Sequence, residues 1–90
     1  LHRFPKLRRL VCSENKITSL QPLVSLTRLV ELMVGNNLLT SVDHLSGLTR
    51  LTMLCCHSNH ITSLKPLAGL SALRDLDCHS NPISSLKPLS

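Results

Sequence analysis

The sequence predicts a solenoid, a coil that advances one rung every 22 residues with its apolar side chains turned inwards. Three observations predict it. First, Asn15, Asn37, Asn59 and Asn81 recur at intervals of 22 residues, and a fixed period of this size marks an array of repeated units. Aligned on them, the chain falls into repeats 7–28, 29–50 and 51–72, a partial repeat 73–90, and the end of an earlier repeat at 1–6. Second, seven positions of that frame are apolar in every repeat and take up 29 of the 38 apolar residues. Third, two of those positions are spaced two residues apart, the period of a strand with one buried face.

Each element follows in order. Position one is Leu7, Leu29, Leu51 and Leu73. The strand positions are four (Leu10, Leu32, Leu54, Leu76) and six (Cys12, Val34, Cys56, Cys78). The asparagine comes next, at position nine. A tight turn there leaves backbone groups without ladder partners, and a side-chain amide carries donors and acceptors to satisfy them. Asn15, Asn37, Asn59 and Asn81 are therefore assigned a structural role. The return arm starts at position eleven with Ile17, Leu39, Ile61 and Ile83. It continues through position fourteen (Leu20, Val42, Leu64, Leu86), seventeen (Leu1, Leu23, Leu45, Leu67, Leu89) and twenty (Phe4, Leu26, Leu48, Leu70). Pro22, Pro66 and Pro88 suit extended or 3₁₀ backbone, because proline fixes its own φ and pushes the residue before it extended. Too few residues remain for a regular α-helix.

The phrases LxxLxVxxN at 29–37 and LxxLxCxxN at 73–81, with N-x-I-T-S-L-x-P-L-x-x-L, resemble the leucine-rich repeat family. The 22-residue length resembles the class shared by intracellular phosphatase-regulator-type and bacterial internalin-type repeats. The resemblance spans the whole chain. It implies an α/β-type solenoid, a right-handed coil with short parallel β-strands at about 9–13, 31–35, 53–57 and 75–79 on its concave face. The convex side would be extended or 3₁₀, with little or no α-helix. Arrays of this kind need caps with a polar outer face, and no cap sequence is visible, so the chain is expected to be the interior of a longer array.

Composition narrows the function. Ninety residues make a single domain. A hydrophobic fraction of 42% with 17% charged residues is too apolar for a disordered chain. No apolar run approaches the roughly 18 residues that span a bilayer, and no leading segment reads as a signal peptide. Gly35, Gly47 and Gly69 form no phosphate-binding loop. Cys55 and His57 would project side by side from a flat strand without a third group or a pocket. The expectation is a binding module, not an enzyme, without a cofactor.

Function would then lie on the concave face, at positions two, three, five, seven and eight. Position five is Val11, Met33, Cys55 and Asp77. With Met53 beside them, the apolar members make a contiguous patch, and an exposed apolar patch with a polar rim marks a protein-interaction site. Val11, Met33, Met53 and Cys55 are the candidate centre, with Arg9, Glu31, His57, Asp75, Asp77 and His79 supplying polar selectivity. The expected partner is another protein. Family members generally bind proteins along this sheet, and phosphatase-regulator-type members use polar and aromatic residues there; this chain has no aromatic on its sheet. One alternative is a structural component of a large assembly, held by its edge or convex surfaces. Another is a metal site built from Cys55, His57, Asp77 and His79, whose types suit zinc.

Charge and cysteine use add two points. The net charge is +5, yet Glu14, Glu31, Asp75 and Asp77 share the concave face with Arg8, Arg9 and Arg74, leaving it near −1 by count. The excess lies elsewhere: Lys6, Arg28 and Arg50 share position 22, and Lys65 and Lys87 share position fifteen. That placement, without exposed aromatics for base stacking, argues against nucleic acid. The basic row reads as solvated edge protection or as a contact for an acidic protein surface. Cys12, Cys56 and Cys78 occupy a core position and Cys55 an outward one. Used this way, as thiols, they favour a reducing, cytoplasmic setting, with cytoskeletal or ciliary association or a bacterial cell surface as alternatives.

Overall fold

A computed structural model describes residues 6–84. Leu1, Phe4, Leu86, Lys87, Pro88 and Leu89 lie outside the described residues. Four strands form one parallel sheet in sequence order: β1 (Arg9–Val11), β2 (Glu31–Met33), β3 (Met53–Cys55) and β4 (Asp75–Asp77). Pairing is in register, with Leu10 opposite Leu32, Leu32 opposite Leu54 and Leu54 opposite Leu76. Every strand therefore presents the same repeat positions to its neighbours, as a coil with one rung per 22 residues requires. Among the described residues there is no α-helix. The return arms carry short 3₁₀ turns at Gln21–Leu23, Asp43–Leu45 and Lys65–Leu67. No helix among the described residues is long and apolar enough to cross a membrane.

The strands start where expected and end two residues early, for a local reason. The residue at position eight adopts a left-handed backbone in every rung: φ is 57° at Glu14, 55° at Asn36, 55° at Ser58 and 58° at Ser80. None is glycine, and such a conformation is costly for other residues unless the surroundings enforce it. Here they do. The position-eight N–H still reaches across to the next rung, Glu14 N to Gly35 O at 2.9 Å and Asn36 N to His57 O at 2.9 Å. The asparagine one residue later then takes over the backbone groups that the turn releases. Asn37 Nδ2 donates to Val34 O (2.8 Å) and Gly35 O (3.1 Å) in its own rung and to Cys12 O (3.2 Å) in the preceding one. Its Oδ1 accepts from Asn15 N and Ile17 N, each at 3.1 Å. Asn59 and Asn81 repeat the arrangement one and two rungs on. Asn37 and Asn59 are 4% exposed, and no buried side-chain nitrogen or oxygen among the described residues lacks a partner.

A second polar device shapes the return arm. The hydroxyls of Ser19, Ser41 and Ser63 accept from the backbone N–H groups of Gln21, Asp43 and Lys65 at 3.1, 2.9 and 3.1 Å. Ser side chains commonly close such local turns. Each bond starts a 3₁₀ turn, with Pro22 and Pro66 inside its first two positions. Successive i to i+3 bonds then carry the chain back to the sheet, Leu26 N to Leu23 O at 3.0 Å and Leu29 N to Leu26 O at 3.1 Å. The leucines of the return arm meet those of the sheet in one core, continuous from Leu20 to Leu70.

Candidate functional site

The core takes up positions four and six of each repeat, so positions three, five and seven are left facing outward. In-register pairing turns them into three columns that run across the rungs. Arg9, Glu31, Met53 and Asp75 form the first column, and Val11, Met33, Cys55 and Asp77 the second. Ser13, Gly35, His57 and His79 continue the third just past the strand ends. Adjacent parallel strands stand about 4.8 Å apart, so a partner laid across the columns meets a new side chain at each rung.

The apolar centre holds together on the inner rungs. Met33, Met53 and Cys55 are half-buried neighbours, whereas Val11 on the first strand is 54% exposed. Beside them lies a shallow depression of about 330 Å³ lined by Met53, Cys55, Arg74, Asp75, Leu76 and Asp77. Arg74, left out of the sequence-based selection, thus borders the candidate face.

The polar members divide. Arg9 Nε donates to Glu31 Oε1 at 2.9 Å, so these two neutralise each other across β1 and β2. With both side chains largely in solvent, the pair is worth about 1 kcal/mol or less. On β4, His79 Nδ1 donates to Asp77 Oδ1, and this hydrogen bond holds the Asp77 carboxyl below its usual range. Asp75 is exposed.

The third column contains a feature that the sequence reading missed. The His57 and His79 rings are stacked with centroids 4.8 Å apart and planes 1° from parallel. His57 in turn lies over Gly35: a Cβ on Gly35 would come within 2.5 Å of His57 Nε2. Glycine, imidazole and imidazole thus succeed one another on consecutive rungs, and the ring covers Gly35 so well that it is buried. The signal was available as a lone glycine one repeat before a histidine in the same column.

This stacking corrects the metal alternative. Cys55, His57, Asp77 and His79 do leave the same face, but no group of three or more His, Cys, Asp or Glu among the described residues is placed to hold a metal ion. The rings lie face to face instead of turning their nitrogens towards a common point, and His79 occupies a carboxylate oxygen of Asp77.

The thiols are all free. Burial pushes the Cys56 thiol up to about 12, helped by Cys78 and Asp77. Cys55 is also raised, by burial first and then by the charges of Asp77 and Asp75. Each stays protonated at neutral pH, which leaves Cys55 a soft contact surface and a poor nucleophile.

The sequence matches the family described as Leucine Rich repeats (2 copies), once at residues 5–47 and again at 49–90. The chain belongs to the leucine-rich repeat family. Among solved structures, it is similar to internalin C2 of Listeria monocytogenes, with 35% identity and a TM-score of 0.96 over 99% of this chain and 39% of that one. An internalin, InlF, of the same species gives 32% identity and a TM-score of 0.92 over 97% of this chain and 26% of that one. A leucine-rich repeat protein of Leptospira interrogans gives 26% identity and 0.81 over 89% and 21%. No curated protein sequence matches. The chain therefore spans about two-fifths or less of the length of these structures. Leucine-rich repeat folds generally mediate protein–protein interaction, and neighbours of the internalin kind are typically non-enzymatic interaction modules.

Proposed function

We propose that this chain is a non-enzymatic protein-recognition segment that binds its partner through the concave sheet. The observation that carries this reading is the half-buried patch of Met33, Met53 and Cys55, flanked by the Arg9–Glu31 pair on one side and by Asp75 and Asp77 on the other. Methionine adapts to irregular partner surfaces, and a desolvated centre inside a polar rim is how binding energy is commonly concentrated. Size sets a condition. The face of four rungs measures roughly 14 by 17 Å, about a third of the 800 Å² or so that each side of a standard interface buries. A partner seated here also uses surface beyond the sheet.

Charge reversal tests the reading. Glu31→Lys with Asp77→Lys changes two outward side chains and none of the core. A partner captured by the native chain is expected to be lost by this variant, with circular dichroism preserved and the melting temperature lowered only slightly by loss of the Arg9–Glu31 and Asp77–His79 contacts. Retention would favour the second reading, a scaffold held by its edge or convex surfaces, away from the sheet, where Val24 and Leu38 are 43% and 44% exposed. The four free thiols support a reducing compartment as the place of action.

A further inference from the structure

Beside the concave sheet, at the edge where the strands begin, lies a row of cations that the fold does not need. Lys6, Arg28 and Arg50 occupy the last position of consecutive repeats, each exposed on the turn that leads into a strand. In-register pairing puts them one rung apart, about 4.8 Å per step, so the row covers roughly 10 Å. Exposed Arg8 stands two residues beyond Lys6, on the approach to β1. Two ion pairs occur among the described residues, Arg9–Glu31 and Asp77–His79, and neither involves this row. Like charges held a rung apart repel one another.

The turn does not explain them. It is closed by backbone bonds, Leu29 N to Leu26 O and Leu51 N to Leu48 O, each at 3.1 Å. The next repeat closes it identically, Leu73 N to Leu70 O at 3.1 Å, with Ala72 in the cation's place. Edge protection does not explain them either. Lysines guard unpaired strand edges, but the backbone beside Arg28 and Arg50 is already paired, with Val30 N to Arg8 O at 2.7 Å and Thr52 N to Val30 O at 2.8 Å.

We propose that Lys6, Arg8, Arg28 and Arg50 form a docking strip for an extended, acidic polypeptide segment. Alternate side chains of an extended chain project on one side at about 6.6 Å intervals. The flexible arms of Lys and Arg span the difference from the rung spacing, so three carboxylates at every second residue can each meet a cation. A polypeptide suits the surroundings better than a nucleic acid does. The neighbouring column carries Asp75, whose carboxyl has no ion-pair partner among the described residues and would repel a continuous phosphate backbone, whereas a peptide can interleave uncharged residues there. The chain also has no Trp or Tyr, and none of the four residues of the strip offers an aromatic platform for base stacking. The proposal does not depend on the concave sheet binding anything.

The test is fluorescence anisotropy of the full chain with a labelled peptide of alternating Glu and Ser, against an alternating Gln–Ser peptide and an oligothymidylate of equal charge. The Glu–Ser peptide is expected to bind, to weaken as salt rises, and to exceed both controls. Arg28→Glu with Arg50→Glu changes only exposed side chains and is expected to weaken that binding roughly tenfold or more. The same variant should gain affinity for an alternating Lys–Ser peptide, an outcome that misfolding would not produce. Glu31→Lys with Asp77→Lys should not weaken binding of the acidic peptide, which keeps this test separate from that of the concave face. Failure of the Glu–Ser peptide to bind, or unchanged binding in the double arginine variant, overturns the proposal. Tighter binding of oligothymidylate, lost in that same variant, would overturn it in favour of a nucleic-acid strip.

Discussion

The inner and outer repeats have the same apolar pattern and differ in what surrounds it. Leu29, Leu32, Val34, Leu39, Val42, Leu45 and Leu48 are all 0% exposed, and the seven equivalent residues from Leu51 to Leu70 are at most 4% exposed. In the first repeat Leu7, Leu10, Cys12 and Ile17 are only half-buried, as are Leu73, Leu76, Cys78 and Ile83 in the last. A hollow of about 160 Å³ opens beside Cys12, Ile17, Leu20, Pro22 and Leu23. Identical residues are thus buried unequally: among the described residues an inner rung has a neighbouring rung on each side, whereas an outer one has a described neighbour on a single side. Stability in such an array is a property of the junctions between rungs more than of the rungs themselves.

The largest test of that comparison is paired truncation. Leu54→Ala opens a cavity in the middle of the core and is expected to cost about 3–4 kcal/mol, near the middle of the range for buried leucines. Leu10→Ala at the equivalent position of the first strand should cost about 1–2 kcal/mol, since much of its surface is already in water. Equal losses in urea denaturation would break the comparison.

The asparagines sharpen it. Asn59→Ala removes one of the two hydrogen bonds to each of the Val34, Cys56 and His57 carbonyls and leaves the buried Leu39 N–H without a partner, with an expected cost of about 2–3 kcal/mol. Asn15 is exposed and donates only to Cys12 and Ser13 carbonyls, so Asn15→Ala should cost about 1 kcal/mol or less. Denaturation midpoints of the two variants measure the difference.

The glycines are expected to differ in sign. Gly35→Ala must displace the His57 ring, whereas a Cβ on Gly47 meets nothing within 4 Å. Gly47→Ala should stabilise by about 0.4–1 kcal/mol through the unfolded chain. Gly35→Ala should destabilise by about 1 kcal/mol and shift the His79 ring protons as the stack breaks, which NMR reads directly.

The smallest effect is pH-dependent and belongs to the outer strand. The His79 hydrogen bond lowers the Asp77 carboxyl in the folded chain. Its stabilisation is therefore complete above the ordinary carboxylate value of about 4 and disappears as pH falls through the lower folded value. Melting temperature followed from neutral to acid pH should drop slightly less in Asp77→Asn than in the native chain.

Much of the scaffold was legible in the sequence. Seven apolar positions repeat without exception, and a core that recurs every rung leaves no freedom about which residues face inwards. The strand ends were less legible, because Glu14, Asn36, Ser58 and Ser80 share a left-handed backbone but no residue type. Their conformation is imposed from outside by the asparagine beside each. The serine turns at Ser19, Ser41 and Ser63 were written at a fixed position, yet serine is too common in loops for that recurrence to stand out. On the concave face, one-rung spacing places Met33 beside Cys55, whereas the imidazole stack depends on ring orientation and on the missing side chain at Gly35. Those are properties of pairs of residues in three dimensions, and the letters alone do not carry them.

The asparagine bonds reach only to the same turn or to the adjoining one. A gain or loss of one whole turn therefore leaves every such bond with an equivalent partner, while a gain or loss of a single amino acid breaks the alignment at once. Length in this architecture is consequently quantised: a gene can lengthen or shorten the coil by duplication or deletion of a 22-residue unit without inventing a new interior. Each added turn also brings fresh outward-facing sites that owe nothing to folding and are open to selection for whatever they touch.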